Sequence, residues 1–172
     1  TYGVRLEAAK AVGSVLLTYG ADAFRDRSNN SDTSTTTGFG PPSTDPVSKT
    51  PNAIFRSIGG FLQSDVHLGD RFNVIAGVRV QSIKAETRPT PGVTLPLVSD
   101  EHATAVGTLN AEYLLGNRVS LVTSVGRGFR SPNLIERFFE GPTPEGFGYQ
   151  VRTPDLKPET SINVDVGFRY RD

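Results

Sequence analysis

The chain has 172 residues, 36% of them hydrophobic, with 18 Lys and Arg against 18 Asp and Glu, and it contains no cysteine. That length suits one ordinary domain, and the cancelled charge provides no basic stripe for nucleic acid. The lack of cysteine excludes a disulfide framework, a thiolate metal site and a cysteine nucleophile, and no apolar run approaches the roughly 18 residues of a membrane-crossing helix.

Residues 1–12 open on TYGVRLEAA, which already alternates like the middle of a strand. In a chain without methionine this reads as a piece of a longer protein, so any signal peptide lies outside it. A tight Val12-Gly13 turn leads to a second alternating segment at 14–27. There Val15, Leu17, Tyr19, Ala21 and Ala23 oppose Leu16, Thr18, Gly20, Asp22 and Phe24, an imperfect division. Residues 28–52 hold eleven Ser or Thr and four Pro in 25 positions and read as a long loop. Two more strands, 53–68 and 71–88, are joined by Leu68-Gly69-Asp70-Arg71. In the second, Phe72, Val74, Ala76, Val78 and Val80 oppose Asn73, Ile75, Gly77, Arg79 and Gln81. After a connection at 89–101, segment 102–115 sets Ala103, Ala105, Leu109, Ala111 and Tyr113 against His102, Thr104, Thr108, Asn110 and Glu112. Leu115-Gly116-Asn117-Arg118 turns into 118–130, and a loop at 131–158 precedes the last strand. That strand, 159–171, alternates without a break from Ser161: Ile162, Val164, Val166, Phe168 and Tyr170 on one side, Asn163, Asp165, Gly167 and Arg169 on the other. Successive strand side chains point to opposite faces, so each segment has one greasy and one polar surface. Nothing reads convincingly as a helix.

These segments exceed the usual 5 or 6 residues of globular strands and reach the roughly 9 to 11 that cross a bilayer when tilted. A soluble β-sandwich alternates too. Three patterns favour a barrel. Aromatic residues gather near strand ends, at Tyr2, Phe72, Tyr113, Phe129 and Tyr170, where barrels keep their girdles. Arg79, Glu112, Asp165 and Arg169 fall on polar faces, as a wet lumen allows. Tight turns and long loops also alternate strictly, as in barrels with short turns at one rim and long loops at the other. The expected fold is all-β: an antiparallel meander of about seven long strands, part of a transmembrane β-barrel.

At this point GRGFRSPNLIERF (126–138) and TPDLKPETSINVDVGFRY (153–170) become recognisable. Together they resemble the paired signature of the barrel of TonB-dependent outer-membrane receptors, in which a Gly-Phe-Arg-x-Pro stretch ends one strand and an Asn-Pro-Asp-Leu-Lys-Pro-Glu stretch opens the next. Residues 59–80, GGFLQSDVHLGDRFNVIAGVRV, resemble the same family's hairpin from Phe-x-Gln to Gly-x-Arg. Thr153 stands where the family usually has Asn, and Ser131 where Ala is common. The resemblance makes Gln63, Arg79, Gly128, Phe129, Arg130 and Pro132 motif or lumen residues, together with Pro154, Asp155, Leu156, Lys157, Pro158 and Glu159. It implies that residues 1–172 are part of a barrel of about 22 strands. The plug domain, the coupling motif and the aromatic C-terminal strand are not in this sequence.

By that resemblance the parent resides in the bacterial outer membrane, amid lipid. It binds a scarce nutrient outside, most often a ferric siderophore, and imports it when TonB pulls on the plug, with no covalent chemistry and no cofactor. A passive porin-like barrel, an outer-membrane hydrolase and a soluble binding module are the alternatives.

Gly126-Arg127-Gly128 lacks the third glycine and the helix of a dinucleotide loop. Arg130 is expected to face inward, towards a carboxylate of plug or barrel or towards an anionic ligand. Asp155 and Glu159 form a carboxylate pair with no nucleophile beside it, and no serine occupies a nucleophile elbow near His67 or His102. The family's haem receptors share a histidine between the two signatures, and residues 131–158 contain none. That loop instead holds Arg137, Phe138, Phe139, Phe147, Tyr149 and Arg152. Such residues suit an anionic, aromatic-bearing ferric chelate, through stacking, cation–π contact and charge-assisted hydrogen bonds. Alternatively they pack the loop onto the rim. No metal-ligand cluster is evident.

Overall fold

The computed structural model describes residues 1–38, 40–48, 50–94, 96–143 and 147–172. In chain order the elements are β1 (Tyr2–Val12), β2 (Val15–Ser28), β3 (Thr33–Thr36), β4 (Ser43–Pro46), β5 (Asn52–Leu68) and β6 (Phe72–Arg88). They continue with β7 (Ser99–Leu114), β8 (Val119–Arg130), α1 (Leu134–Phe138), β9 (Gly141–Pro142), β10 (Tyr149–Gln150) and β11 (Glu159–Tyr170). Seven long strands form one antiparallel sheet in the order β1-β2-β5-β6-β7-β8-β11. Each lies beside the next long strand in the sequence, which is the expected meander. β7 begins at Ser99, three residues before the expected 102, because Ser99 to Glu101 pair with Glu86 to Lys84 and set Glu101 opposite Lys84.

The register keeps the greasy positions together across the sheet. Val15, Val66, Val74 and Ala111 are successive ladder partners, as are Tyr19, Leu62, Val78 and Gly107. Among the described residues no second layer of the chain lies on that face, and Ile162, Val166 and Phe168 there are 75%, 70% and 74% exposed. Burial of apolar area is the main force that folds proteins in water, so a sheet this long with a bare apolar face is built for a surrounding other than water.

At the short-turn end, Gly13 and Gly69 adopt φ of +60° and +66°, which only glycine enters without steric cost. The four-residue turn at 115–118 closes differently. Gly116 has no positive φ, and the Leu115 N–H bonds to the Val119 carbonyl at 2.9 Å.

Several buried hydrophobic residues lie at the opposite end, on the otherwise polar face. Ala53, Ile83 and Ala85 are at most 6% exposed there, and Phe138 of α1 is 2% exposed. The long loops also hold structure that the sequence did not suggest. Residues 28–52 contain the β3–β4 hairpin, and 131–158 contain α1 and the β9–β10 pair. Asn133 caps α1. Its side chain accepts from the Glu136 N–H, and the Glu136 carboxylate accepts from the Asn133 N–H, a reciprocal capping box.

Candidate functional site at the long-loop rim

The polar face carries a chain of charged side chains that spans strands. Arg79 on β6 donates from Nη1 and Nη2 to both carboxylate oxygens of Asp22, at 2.7 and 2.8 Å. Asp22 lies on β2, so the guanidinium must cross β5. It does so at Gly59, where an added Cβ would stand 2.5 Å from Arg79 Nη2. Arg79 Nε also donates to Gln81, which in turn donates to Ser57. Beside this network Arg5 lies over the Phe61 ring, 5.1 Å from its centroid. Gln63 stands exposed opposite Gly77. Nearer the short turns, Glu112 accepts from both Arg169 and Arg171.

The two signature stretches meet at the other end of the wall. Arg130 and Glu159 are ladder partners, and Arg130 grips both Glu159 oxygens from Nε and Nη2, at 3.0 and 3.1 Å. Its third nitrogen, Nη1, reaches Glu136 of α1 at 2.8 Å. One guanidinium therefore ties β8, β11 and the helix together. The Arg130 hydrogen bond, helped by the Asn133 N–H, holds the Glu136 carboxyl below its ordinary value. Gly128 makes room for Ser161, whose Oγ would lie 2.7 Å from an added Cβ. Phe129 sits on the apolar face opposite Thr160, and Pro132 is buried where the strand ends.

Beyond this junction the loop divides into a buried base and an exposed tip. Arg137 is 1% exposed, pairs with Asp100 of β7 and donates to the Leu156 carbonyl at 3.1 Å. Its own carbonyl accepts from the Thr153 N–H at 3.0 Å. Arg152 donates to the Phe138 carbonyl and pairs with Glu140 at 3.0 Å. Thr87, Val98, Phe138, Arg152 and Pro154 help to line a cavity of about 130 Å³ between the loops. Phe139 is half-buried, its ring beside Gly141. At the tip, Phe147 is 99% and Tyr149 63% exposed. Asp155 and Lys157 point to solvent, and Pro158 is half-buried.

Of the six loop residues that suit an anionic chelate, the structure thus sets Arg137 and Phe138 in the base and Phe147 and Tyr149 at the tip. His102 Nε2 lies 2.9 Å from Asp100, and His67 lies 3.7 Å from Asp65. Among the described residues no three His, Cys, Asp or Glu side chains converge as a metal site. Sequence reasoning missed Asp22, Asp100 and Glu136 as partners. For Glu136 the signal was present, since Asn133-x-x-Glu136 has the capping-box spacing. For Asp22 and Asp100 nothing short of the strand register could supply it.

The family model described as TonB dependent receptor-like, beta-barrel matches residues 1–172. Among solved structures, the copper transporter OprC superposes with a TM-score of 0.77 at 20% identity, over 99% of this chain and 27% of that one. A double mutant of the Serratia marcescens hemophore receptor HasR, in complex with its hemophore HasA and heme, gives 0.69 at 15% identity, over 95% and 28%. The chain thus spans little more than a quarter of each of these proteins. None of the curated proteins matches the sequence. Family barrels of this kind belong to receptors and transporters of the Gram-negative outer membrane rather than to enzymes. With the profile matching from first residue to last, the chain belongs to the TonB-dependent receptor β-barrel family.

Proposed function

We propose that this chain is a wall segment of an outer-membrane receptor that binds a scarce nutrient, a ferric siderophore, at its long-loop rim. The receptor imports the nutrient when TonB pulls on a plug domain held in the lumen. The observation that carries this reading is the division of one continuous sheet into a bare apolar face for lipid and an ion-paired polar face for plug and water. The cargo rests on the loop tip. Phe147 and Tyr149 offer uncovered rings, and Arg152 near the base adds a cation, the combination that recognises an anionic aromatic chelate.

The test uses the complete receptor in detergent, titrated with ferric catecholate and ferric hydroxamate siderophores. Tight binding of one of them is expected, weakened about tenfold or more by Phe147→Ala with Tyr149→Ala. Equal binding by that double variant would remove the loop tip from the site. No binding of any ferric chelate would remove the cargo.

A further inference from the structure

Above its middle the wall is not continuous. β6 and β7 are ladder partners from Phe72 and Tyr113 up to Glu86 and Ser99, and β8 and β11 from Val119 and Tyr170 up to Arg130 and Glu159. Between these two fully paired couples, β7 and β8 are joined only from Leu114 and Ser120 up to Thr108 and Gly126. The Leu114 N–H bonds to the Arg71 carbonyl, on the β6 side, and the Leu115 N–H to the Val119 carbonyl, on the β8 side. Backbone groups alternate in this way along an antiparallel strand. Those of Glu101, Ala103, Ala105 and Gly107 therefore aim at β8, and those of Arg127 and Phe129 aim back at β7. No ladder partner meets them.

The opening has a soft root and one tie. Gly107 and Gly126, at the last rung, bring no side chain that would brace it. Beside them lies a depression of about 320 Å³, lined in part by Gln63, Gly77, Thr108 and Asn163 of the polar face. Water from that side reaches the unpaired peptide groups, which hydrocarbon alone would leave unsatisfied at high cost. Higher up, the two sides are joined through α1. Arg130 binds both Glu136 and Glu159, so the helix travels with β8 and β11. Arg137 of the same helix is buried and pairs with Asp100 of β7. Among the described residues no other hydrogen bond or ion pair joins residues 99–107 to residues 127–172.

A wall with a continuous ladder widens only by breaking backbone hydrogen bonds. Here it widens by parting one ion pair. We propose that the β7–β8 boundary is a hinged seam in the receptor wall. The upper ends of β8 and β11, with residues 131–158, turn as one body about the Thr108–Gly126 rung, and the Arg137–Asp100 pair is the latch that holds the long-loop mouth closed. Released, the seam widens the lumen at the loop end and not at the short-turn end, where residues 108–114 stay laddered. The seam itself rests on the ladder and the latch alone. Its use in import rests on the function proposed above.

The test takes the complete receptor in detergent, freed of any cysteine elsewhere, and measures spin-label distances by double electron–electron resonance. One label pair, Thr104→Cys with Ser161→Cys, spans the opening. The other, Asn110→Cys with Asp165→Cys, spans the laddered part below it. With the latch intact, each pair is expected to give one narrow distance. Arg137→Gln should lengthen and broaden the upper distance and leave the lower one unchanged, and Asp100→Asn, which keeps the shape of the side chain, should do the same to a smaller extent. An unchanged upper distance in Arg137→Gln would overturn the proposal, as would equal broadening of both pairs, which marks a general loosening of the barrel. For the role in import, the upper cysteines are joined in cells by a short bis-maleimide. Uptake of the ferric siderophore that the receptor binds should then fall about tenfold while its binding is unchanged. Undiminished uptake by fully cross-linked receptor would show that the seam is no gate. Should no ferric chelate bind, the cargo fails alone, and the two distances still decide the seam.

Discussion

Arg79, Arg130 and Arg137 each cross from one segment to another, and in each case a carboxylate awaits them. Arg79 and Asp22 are both largely shielded, at 29% and 18% exposure, so removing one leaves the other poorly hydrated. Asp22→Ala is expected to cost about 1–3 kcal/mol of barrel stability. A double-mutant cycle with Arg79→Ala should return a positive coupling, and zero coupling would mean that water replaces the pair without loss. Asn133→Ala removes the helix cap at a cost of about 1 kcal/mol and should speed protease cleavage within 131–158.

Glu136 sets a pH dependence whose sign follows from its lowered folded value. Its contribution is fully present above the unfolded glutamate pKa of about 4.3 and is lost as pH falls through the lower folded value. Protease resistance of the loop should therefore be flat from neutral pH to about 5 and fall in more acid solution, and Glu136→Gln should lessen that fall, leaving the part that Glu159 contributes through the same guanidinium. None of these partners except Glu136 was legible beforehand. Period two tells which face a side chain takes but not which residue on a distant strand shares its height.

Among the elements, the long strands were legible because each repeats the same two-residue alternation for eleven to seventeen residues. α1 was not, because five residues give too little periodicity to see. Ile83 and Ala85 followed their alternation onto the polar face but are buried there, each 6% exposed.

The ladder itself adds a finding that no sequence pattern announces. β7 pairs with β6 along nearly its whole length, from Ser99 to Tyr113, yet with β8 only from Thr108 to Leu114. Beyond Gly126, β8 keeps company with β11 alone. Alternate amides between residues 99 and 107, those aimed at β8, should therefore exchange with solvent much faster than amides 108–114 in the intact receptor. Residue-resolved hydrogen exchange checks this, and uniform protection along β7 would contradict it.

For the molecule as a whole, the decisive property is a sheet whose long apolar rows stand exposed among the described residues. Tyr2, Leu6, Ile162 and Phe168 are all at least 66% exposed, and they lie on β1 and β11, the edges of the sheet. Edge strands with unpaired backbone groups and bare apolar rows template aggregation in water. Residues 1–172 expressed alone should form insoluble material, whereas the complete receptor should stay dispersed and folded in detergent micelles. A soluble, monomeric 172-residue product would defeat the membrane reading at once.

The grip of Arg130 on Glu159 and Glu136 has a mechanical corollary. Residues 131–158 leave the wall and return to it at points stitched by Arg130, and Arg137 pins the base of the same segment to Asp100 of β7. A force on its tip at Phe147 therefore reaches the wall through two guanidinium anchors on three neighbouring staves.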